Sequence, residues 1–139
     1  MTTQAHAPAS ARRRVLIVED NPLNMKLFSA MVAAQGYDVL QAGDGRGALD
    51  SAIRLHPDLI IMDLQLPDMS GLEATRRLKA AEETRDIAII ATTAFALAGD
   101  EEKIMASGCD AYMAKPIAVS EFLSLIETLL LSRAVRDLA

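Results

Sequence analysis

Tryptophan is absent, and the 139 residues hold only two tyrosines and three phenylalanines. The net charge is −5. A nucleic-acid surface needs a basic field and stacking aromatics, so this composition argues against direct nucleic-acid binding. A single cysteine, Cys109, excludes an internal disulfide and fits a reducing compartment, with a small core residue as its expected role. No apolar run reaches the length of a membrane span. The apolar run after Arg12-Arg13-Arg14 is also too short for a secretory leader. We therefore expect a soluble, cytoplasmic protein. His6 and His56 have no second ligand at metal spacing, so neither marks a zinc-type site.

What is present is a regular alternation. Short apolar runs at 15–18, 37–42, 59–62, 87–92 and 110–114 read as strands, and the first and third are apolar enough to be buried on both faces. Between them lie helical patterns. The first starts with Asn21 as N-cap and Pro22 behind it, runs to Gln35 and stops at Gly36. Leu23, Leu27, Phe28, Met31 and Val32 are expected on its inner face. Asp44-Gly45 reads as a turn before a second helix through Ala48, Ala52 and Leu55. A third helix is expected at 70–81, with Leu72 and Leu78 inward. The fourth is expected at 98–107, with Gly108 as its stop. The fifth is carried by Phe122, Leu123, Ile126, Leu129 and Leu130. Alternating strands and helices predict an α/β fold, a doubly wound five-stranded parallel sheet flanked by five helices. One domain is expected over 12–132, with a disordered tail at 1–11 and a second tail at 133–139.

A parallel sheet gathers the carboxyl ends of its strands at one edge, where ligands bind. Here those ends carry Glu19-Asp20, Asp63, Thr92-Thr93 and Lys115. A lone strand-end aspartate more often caps a turn. Four suitable groups at the same edge favour a site instead. Three crowded carboxylates repel unless a cation is present, and open oxygen-rich sites suit Mg²⁺, which also bridges phosphates. A lysine and a hydroxyl beside that metal are what a transferred phosphoryl group needs.

The motifs V-L-I-V-E-D-N (15–21), L-I-I-M-D-L-Q-L-P-D-M-S-G (59–71), T-A (93–94) and A-Y-M-A-K-P-I (111–117) resemble those of response-regulator receiver domains. N-x-L-N-M-K-L-F (21–28), A-Q-G-Y (34–37), G-D-E-E (99–102) and G-C-x-A-Y (108–112) resemble a narrower group, the single-domain cell-cycle regulators. The resemblance implies a phosphorylation-controlled switch without an output domain. Asp63 would be the phosphoacceptor, with Lys115 and Thr93 binding phosphoryl oxygens. Mg²⁺ (or Mn²⁺) would be held by Glu19, Asp20, Asp63 and the backbone carbonyl of Gln65. Thr93 and Tyr112 would form the switch, and Pro116 would follow a cis peptide bond. The donor would be a sensor histidine kinase or phosphotransfer protein. A downstream protein would bind the face made by the fourth helix, fifth strand and fifth helix. Beyond phosphorylation from small donors and slow self-dephosphorylation, no enzyme activity is implied.

Three positions depart from the family pattern: Ala88 where proline is frequent, Thr92 where an aliphatic is usual, and Ala118 where a helix cap normally stands. Ala94 identifies Thr93, rather than Thr92, as the switch residue. Ser120 is expected to cap a fifth helix that starts late. In receivers, Gln65 and Phe95 would flank the path of the hydrolytic water, with Phe95 shielding the acyl phosphate. Among the alternatives, Gly43-Asp44-Gly45-Arg46-Gly47-Ala48 has dinucleotide-loop spacing, but it follows the second strand and carries Asp44 where a pyrophosphate would sit. A haloacid-dehalogenase-type phosphatase would need an acid where Gln65 stands. A phosphorylation-independent interaction module would keep the fold and lose part of the site.

Overall fold

In the computed structural model, which describes residues 12–94 and 100–138, the buried apolar runs become the middle of one sheet. The strands are β1 (Arg14–Val18), β2 (Asp38–Ala42), β3 (Leu59–Asp63), β4 (Ala88–Thr93) and β5 (Ala111–Ala114). All pair in parallel, in the order β2-β1-β3-β4-β5. The helices are α1 (Pro22–Ala34), α2 (Gly45–Leu55), α3 (Gly71–Ala80), α4 (Asp100–Ala106) and α5 (Val119–Leu138). Every residue of β3 and β4 is buried, whereas the edge strands β2 and β5 are largely half-buried. The two central strands are thus covered on both faces, as parallel sheets require.

Strand periodicity sorts the core into two layers. Leu16, Val18, Ile60, Met62, Ile89 and Ala91 pack toward α2, α3 and α4, meeting Ala48, Ala52, Leu78 and Ile104. Val15, Ile17, Leu59, Ile61 and Ile90 pack toward α1 and α5, where Phe28 and Phe122 stack with ring centroids 5.4 Å apart. Burying each such side chain is worth about 1.5–3 kcal/mol. The strand order reverses at β1, which lies between β2 and β3. That reversal opens the crevice in which doubly wound folds bind ligands.

Several local expectations need correction. Asp44-Gly45 opens α2 instead of forming a separate turn, because the Asp44 carboxylate caps the helix by accepting from the Gly47 N–H at 2.7 Å. The helix α5 continues through the residues expected as a tail, to Leu138. No glycine or proline interrupts it, and the Arg133 guanidinium donates to the carbonyls of Asp58 (3.1 Å) and Asp86 (3.0 Å). Ser120 does not cap it. The Phe122 N–H bonds to the Ala118 carbonyl at 2.9 Å, which places Ser120 inside the first turn. On α1, Phe28 and Val32 are buried, but Leu23 and Leu27 are 64% and 54% exposed. Leu23, Leu27 and Met31 form one i, i+4 ridge, and the sheet covers the neighbouring ridge.

Candidate functional site

At the strand-order reversal, each chain segment delivers its group by extending the sheet one residue further. The Glu19 N–H bonds to the Ala42 carbonyl at 3.1 Å, so Glu19 continues β1 and is buried. Asp20 follows, exposed. Asn21 then caps α1, its side chain accepting from the Asn24 N–H at 3.0 Å. Asp63 ends β3 and is 3% exposed, and the Leu64 N–H bonds to the Thr92 carbonyl at 2.9 Å. On the far side, the Lys115 N–H bonds to the Thr93 carbonyl at 2.7 Å, ahead of a cis Lys115–Pro116 bond.

The side chains meet. Lys115 Nζ donates to Glu19 Oε1 at 2.9 Å and to Asp63 Oδ2 at 3.2 Å. Asp63 Oδ1 accepts from the Gln65 N–H at 2.9 Å, and Glu19 Oε2 accepts from the Asn21 N–H at 3.3 Å. One carboxylate oxygen from each of Glu19, Asp20 and Asp63 lies within 4.8 Å of the others. Gln65 bridges to the next strand: its Nε2 donates to Thr93 Oγ1 at 3.2 Å, and its Oε1 accepts from the Ala94 N–H at 3.3 Å. Thr92 is different. Its register partner is Asp63, and its buried hydroxyl has no hydrogen-bond partner. Tyr112 pairs in register with Ala91, one pleat below Thr93 on the α4 side. Burial, and then the Glu101 acid of α4 nearby, raise the Tyr112 pKa above its ordinary value.

Two acids here share one lysine, and a third, Asp20, stands beside them. Burial pushes the Glu19 carboxyl above its ordinary range; the nearby Asp63 charge adds to this, and Lys115 only partly opposes it. Burial alone would lower the Lys115 pKa, but Glu19 and Asp63 outweigh it and hold the ammonium above its ordinary value. Formal charges leave about two negative units uncompensated, all of them on oxygen. A hard divalent cation fits that donor set.

The turn after Asp63 depends on Gly71. A Cβ there would lie 2.2 Å from the Asp63 carbonyl oxygen and 2.7 Å from Leu64 Cα, both backbone. The Gly71 N–H closes the turn onto the Leu64 carbonyl at 3.0 Å. Sequence reasoning missed Asp68, whose carboxylate crosses to the start of α2: it accepts from the N–H groups of Gly45 (2.8 Å) and Arg46 (2.9 Å). The bonds hold the Asp68 pKa below its ordinary value. They also dispose of the dinucleotide-loop alternative. The N–H groups that would receive a pyrophosphate already serve Asp68 and Asp44. Phe95, expected to shield the acyl phosphate, lies outside the described residues.

An acid-rich crevice at the carboxyl ends of a five-stranded doubly wound sheet, bridged by a lysine, defines a receiver-type domain. The chain belongs to the response regulator receiver domain family, whose model matches residues 15–127. It is 53% identical over 118 residues to the polar-differentiation response regulator DivK of Brucella ovis, covering 85% of this chain and 96% of that one. The Brucella anthropi counterpart is 52% identical over the same shares. Among solved structures it resembles the receiver domain of a sensor histidine kinase from Pseudomonas aeruginosa, which has a magnesium ion coordinated in its active-site cleft. That match has a TM-score of 0.80 and 40% identity, and covers 86% of this chain and 98% of that one. The receiver domain of a LuxO-type repressor from Vibrio parahaemolyticus matches with a TM-score of 0.85 and 29% identity, covering 91% and 96%. The protein is therefore a receiver of two-component signalling, a class of switches rather than of enzymes. Among the described residues, no helix is long and apolar enough to cross a membrane.

Proposed function

We propose that Asp63 is the phosphoacceptor of a switch whose donor is the phosphohistidine of a sensor kinase or phosphotransfer protein. The observation that carries this reading is Lys115, which bridges Glu19 and Asp63 beside Asp20 at the strand-order reversal. In the transfer, an Asp63 oxygen attacks phosphorus, the P–N bond to imidazole breaks, and a P–O bond forms. Glu19, Asp20, Asp63 and the Gln65 carbonyl would hold Mg²⁺ (or Mn²⁺), which supplies charge neutralisation and orientation when bound. Lys115 exchanges its bond to Asp63 for one to a phosphoryl oxygen. The Thr93 hydroxyl leaves the Gln65 amide for another. Tyr112, one pleat below, then turns inward. The altered face of α4, β5 and α5 is read by a protein target.

The donor domain has an apolar landing place. A groove of about 300 Å³ beside Lys115 is lined by Leu27, Phe28, Met31, Pro116, Ile117 and Val119. Exposed Leu23 lies one turn before Leu27 on α1. We also assign self-phosphorylation from small donors, slow self-dephosphorylation, and a cellular role of the kind that the Brucella relatives' name carries. The switch unit is residues 12–138, with α5 complete.

Incubation with acetyl phosphate and Mg²⁺ tests the acceptor. Wild type should be labelled and Asp63→Asn should not; equal labelling sinks the assignment. A kinase-dependent assay tests the groove. Leu27→Asp should slow transfer from phosphohistidine while acetyl phosphate still labels the protein at the wild-type rate.

A further inference from the structure

We propose that Asp68 is a positioning residue: its carboxylate clamps the β3–α3 loop, and the Asp63–Gln65 backbone with it, onto the start of α2. This rests on the reading of Asp63 and Gln65 given above.

The loop between Asp63 and Gly71 is fixed at both feet. At one, the Gln65 N–H bonds to Asp63 Oδ1. At the other, the Gly71 N–H bonds to the Leu64 carbonyl, and Ser70 caps α3 through the Leu72 N–H at 3.0 Å. The tip, Leu66 to Met69, lies outside the strands and helices, and Pro67 brings no N–H. Asp68 fastens that tip. Its two oxygens take two successive N–H groups, Gly45 at 2.8 Å and Arg46 at 2.9 Å, in a charge-assisted fork at a helix N-terminus. Met69 seats the same tip. A Cβ on Gly45 would lie 2.3 Å from Met69 Cγ and 2.8 Å from its Sδ, so the loop rests directly on the Gly45 Cα.

The helix has a cap of its own, since Asp44 already receives the Gly47 N–H at 2.7 Å. A second carboxylate at that terminus therefore serves the loop more than the helix. The anchor is firm, because Ala48 and Ala52 of α2 are fully buried against the sheet. A metal-binding carbonyl works only when its backbone is held within a fraction of an ångström, and outer residues that hold ligands typically account for about 10–100-fold in metal affinity.

The experiment titrates MgCl₂ into the full chain without phosphodonor and follows backbone amide shifts. It is run on wild type, Asp68→Ala, Asp68→Asn and the control Asp44→Ala. Asp68→Ala should bind Mg²⁺ about tenfold more weakly. Asp68→Asn keeps one acceptor and should fall between. Asp44→Ala should lose helix stability and keep wild-type Mg²⁺ affinity. Labelling of Asp68→Ala by acetyl phosphate should recover at saturating Mg²⁺, as expected when only metal binding is impaired. In the metal-free chain, hydrogen exchange at the Gly45 and Arg46 amides should be slow in wild type and fast in Asp68→Ala.

Mg²⁺ affinity of Asp68→Ala within twofold of wild type overturns the proposal, as does an equal loss in Asp44→Ala. If Asp68→Ala fails to fold, Asp68→Asn decides by the same twofold limit. Unprotected Gly45 and Arg46 amides in wild type overturn the clamp alone. A wild type that binds no Mg²⁺ overturns the reading of the site, and the positioning role with it.

Discussion

The two edges of the sheet handle charge in opposite ways. At the amino ends of the strands, acids and bases are matched nearly one to one. Arg12 meets Asp38 at 2.8 Å, Arg13 meets Asp58 at 3.5 Å, and Lys79 meets Asp110 at 3.0 Å. Backbone groups complete the set: Asp58 also accepts the Arg14 N–H and Asp110 the Ile89 N–H, each at 2.8 Å. The Arg14 guanidinium donates to the Leu55 and His56 carbonyls that end α2. At the carboxyl ends, Glu19 and Asp63 share Lys115, and Asp20 adds a third acid beside them. The two lysines make the contrast concrete. Both are mostly buried, at 18% and 16% side-chain exposure. Lys79 spends its donors on Asp110 and the carbonyls of Arg85 and Ile87, which stay put in the fold. Lys115 spends its own on two acids whose needs, on the function proposed above, change when metal and phosphoryl arrive. One edge is saturated with partners; the other is left short of positive charge.

The largest expected effect is at Lys115. With its cation gone, Lys115→Met leaves two buried carboxylates facing each other. The metal-free protein should lose about 3 kcal/mol of stability. Saturating Mg²⁺ should restore most of it, because a ligand of the native state stabilises by mass action. Urea denaturation with and without MgCl₂ reads this directly. Wild-type stability in the metal-free variant would mean that the carboxyl edge is not under charge tension.

Lys79→Met should cost somewhat less, about 2 kcal/mol for its charged hydrogen bonds. Here Mg²⁺ should give no rescue beyond its wild-type effect, and acetyl phosphate labelling should be unchanged. A Mg²⁺-specific rescue of Lys79→Met would break the contrast between the edges.

A matched pair of neutralised acids should sharpen it. On the proposed reading Asp20→Asn removes a charged ligand and should weaken Mg²⁺ binding by about tenfold or more, equivalent to about 1.4 kcal/mol. Asp110→Asn, at the opposite edge, should lower the melting temperature and leave Mg²⁺ affinity alone. Calorimetric titration of both variants decides the matter.

The smallest effect concerns Asp68, an acid of the carboxyl edge that is saturated like those of the amino edge. The Gly45 and Arg46 N–H groups depress its pKa in the folded state. Its contribution is therefore fully present above the ordinary aspartate value of about 4 and is lost as pH falls through the depressed one. The stability margin of wild type over Asp68→Asn should shrink across that acid window. Because the side chain is exposed, the change should be slight. Denaturation midpoints of the two proteins between pH 6 and pH 2 (values of roughly the range in which carboxylates titrate) check the sign. A margin that grows on acidification contradicts it.

The strands, the α/β alternation and the groups at the strand ends were legible because they are local. A buried parallel strand reads as an apolar run, its carboxyl end is the next residue, and Asn21-Pro22 and Ser70-Gly71 announce their helices by cap chemistry. What was misread depends on neighbours distant in sequence. Leu23 and Leu27 share a helical stripe with Met31, and periodicity could not say which ridge the sheet would cover. Nothing near Arg133 in the chain shows that it will reach Asp58 and Asp86 and carry α5 to Leu138.

Sequence alone determined that a carboxylate would stand at the end of β1 and another at the end of β3, because strand periodicity and turn chemistry act over a few residues. Only the tertiary structure decided that Lys115 would bridge them, across 96 residues from Glu19 and 52 from Asp63. It likewise decided that Asp68 would be held by Gly45, 23 residues back. Side chains so far apart meet only after the parallel sheet has set the order of its strands, and that order is a property of the packed core rather than of any one segment.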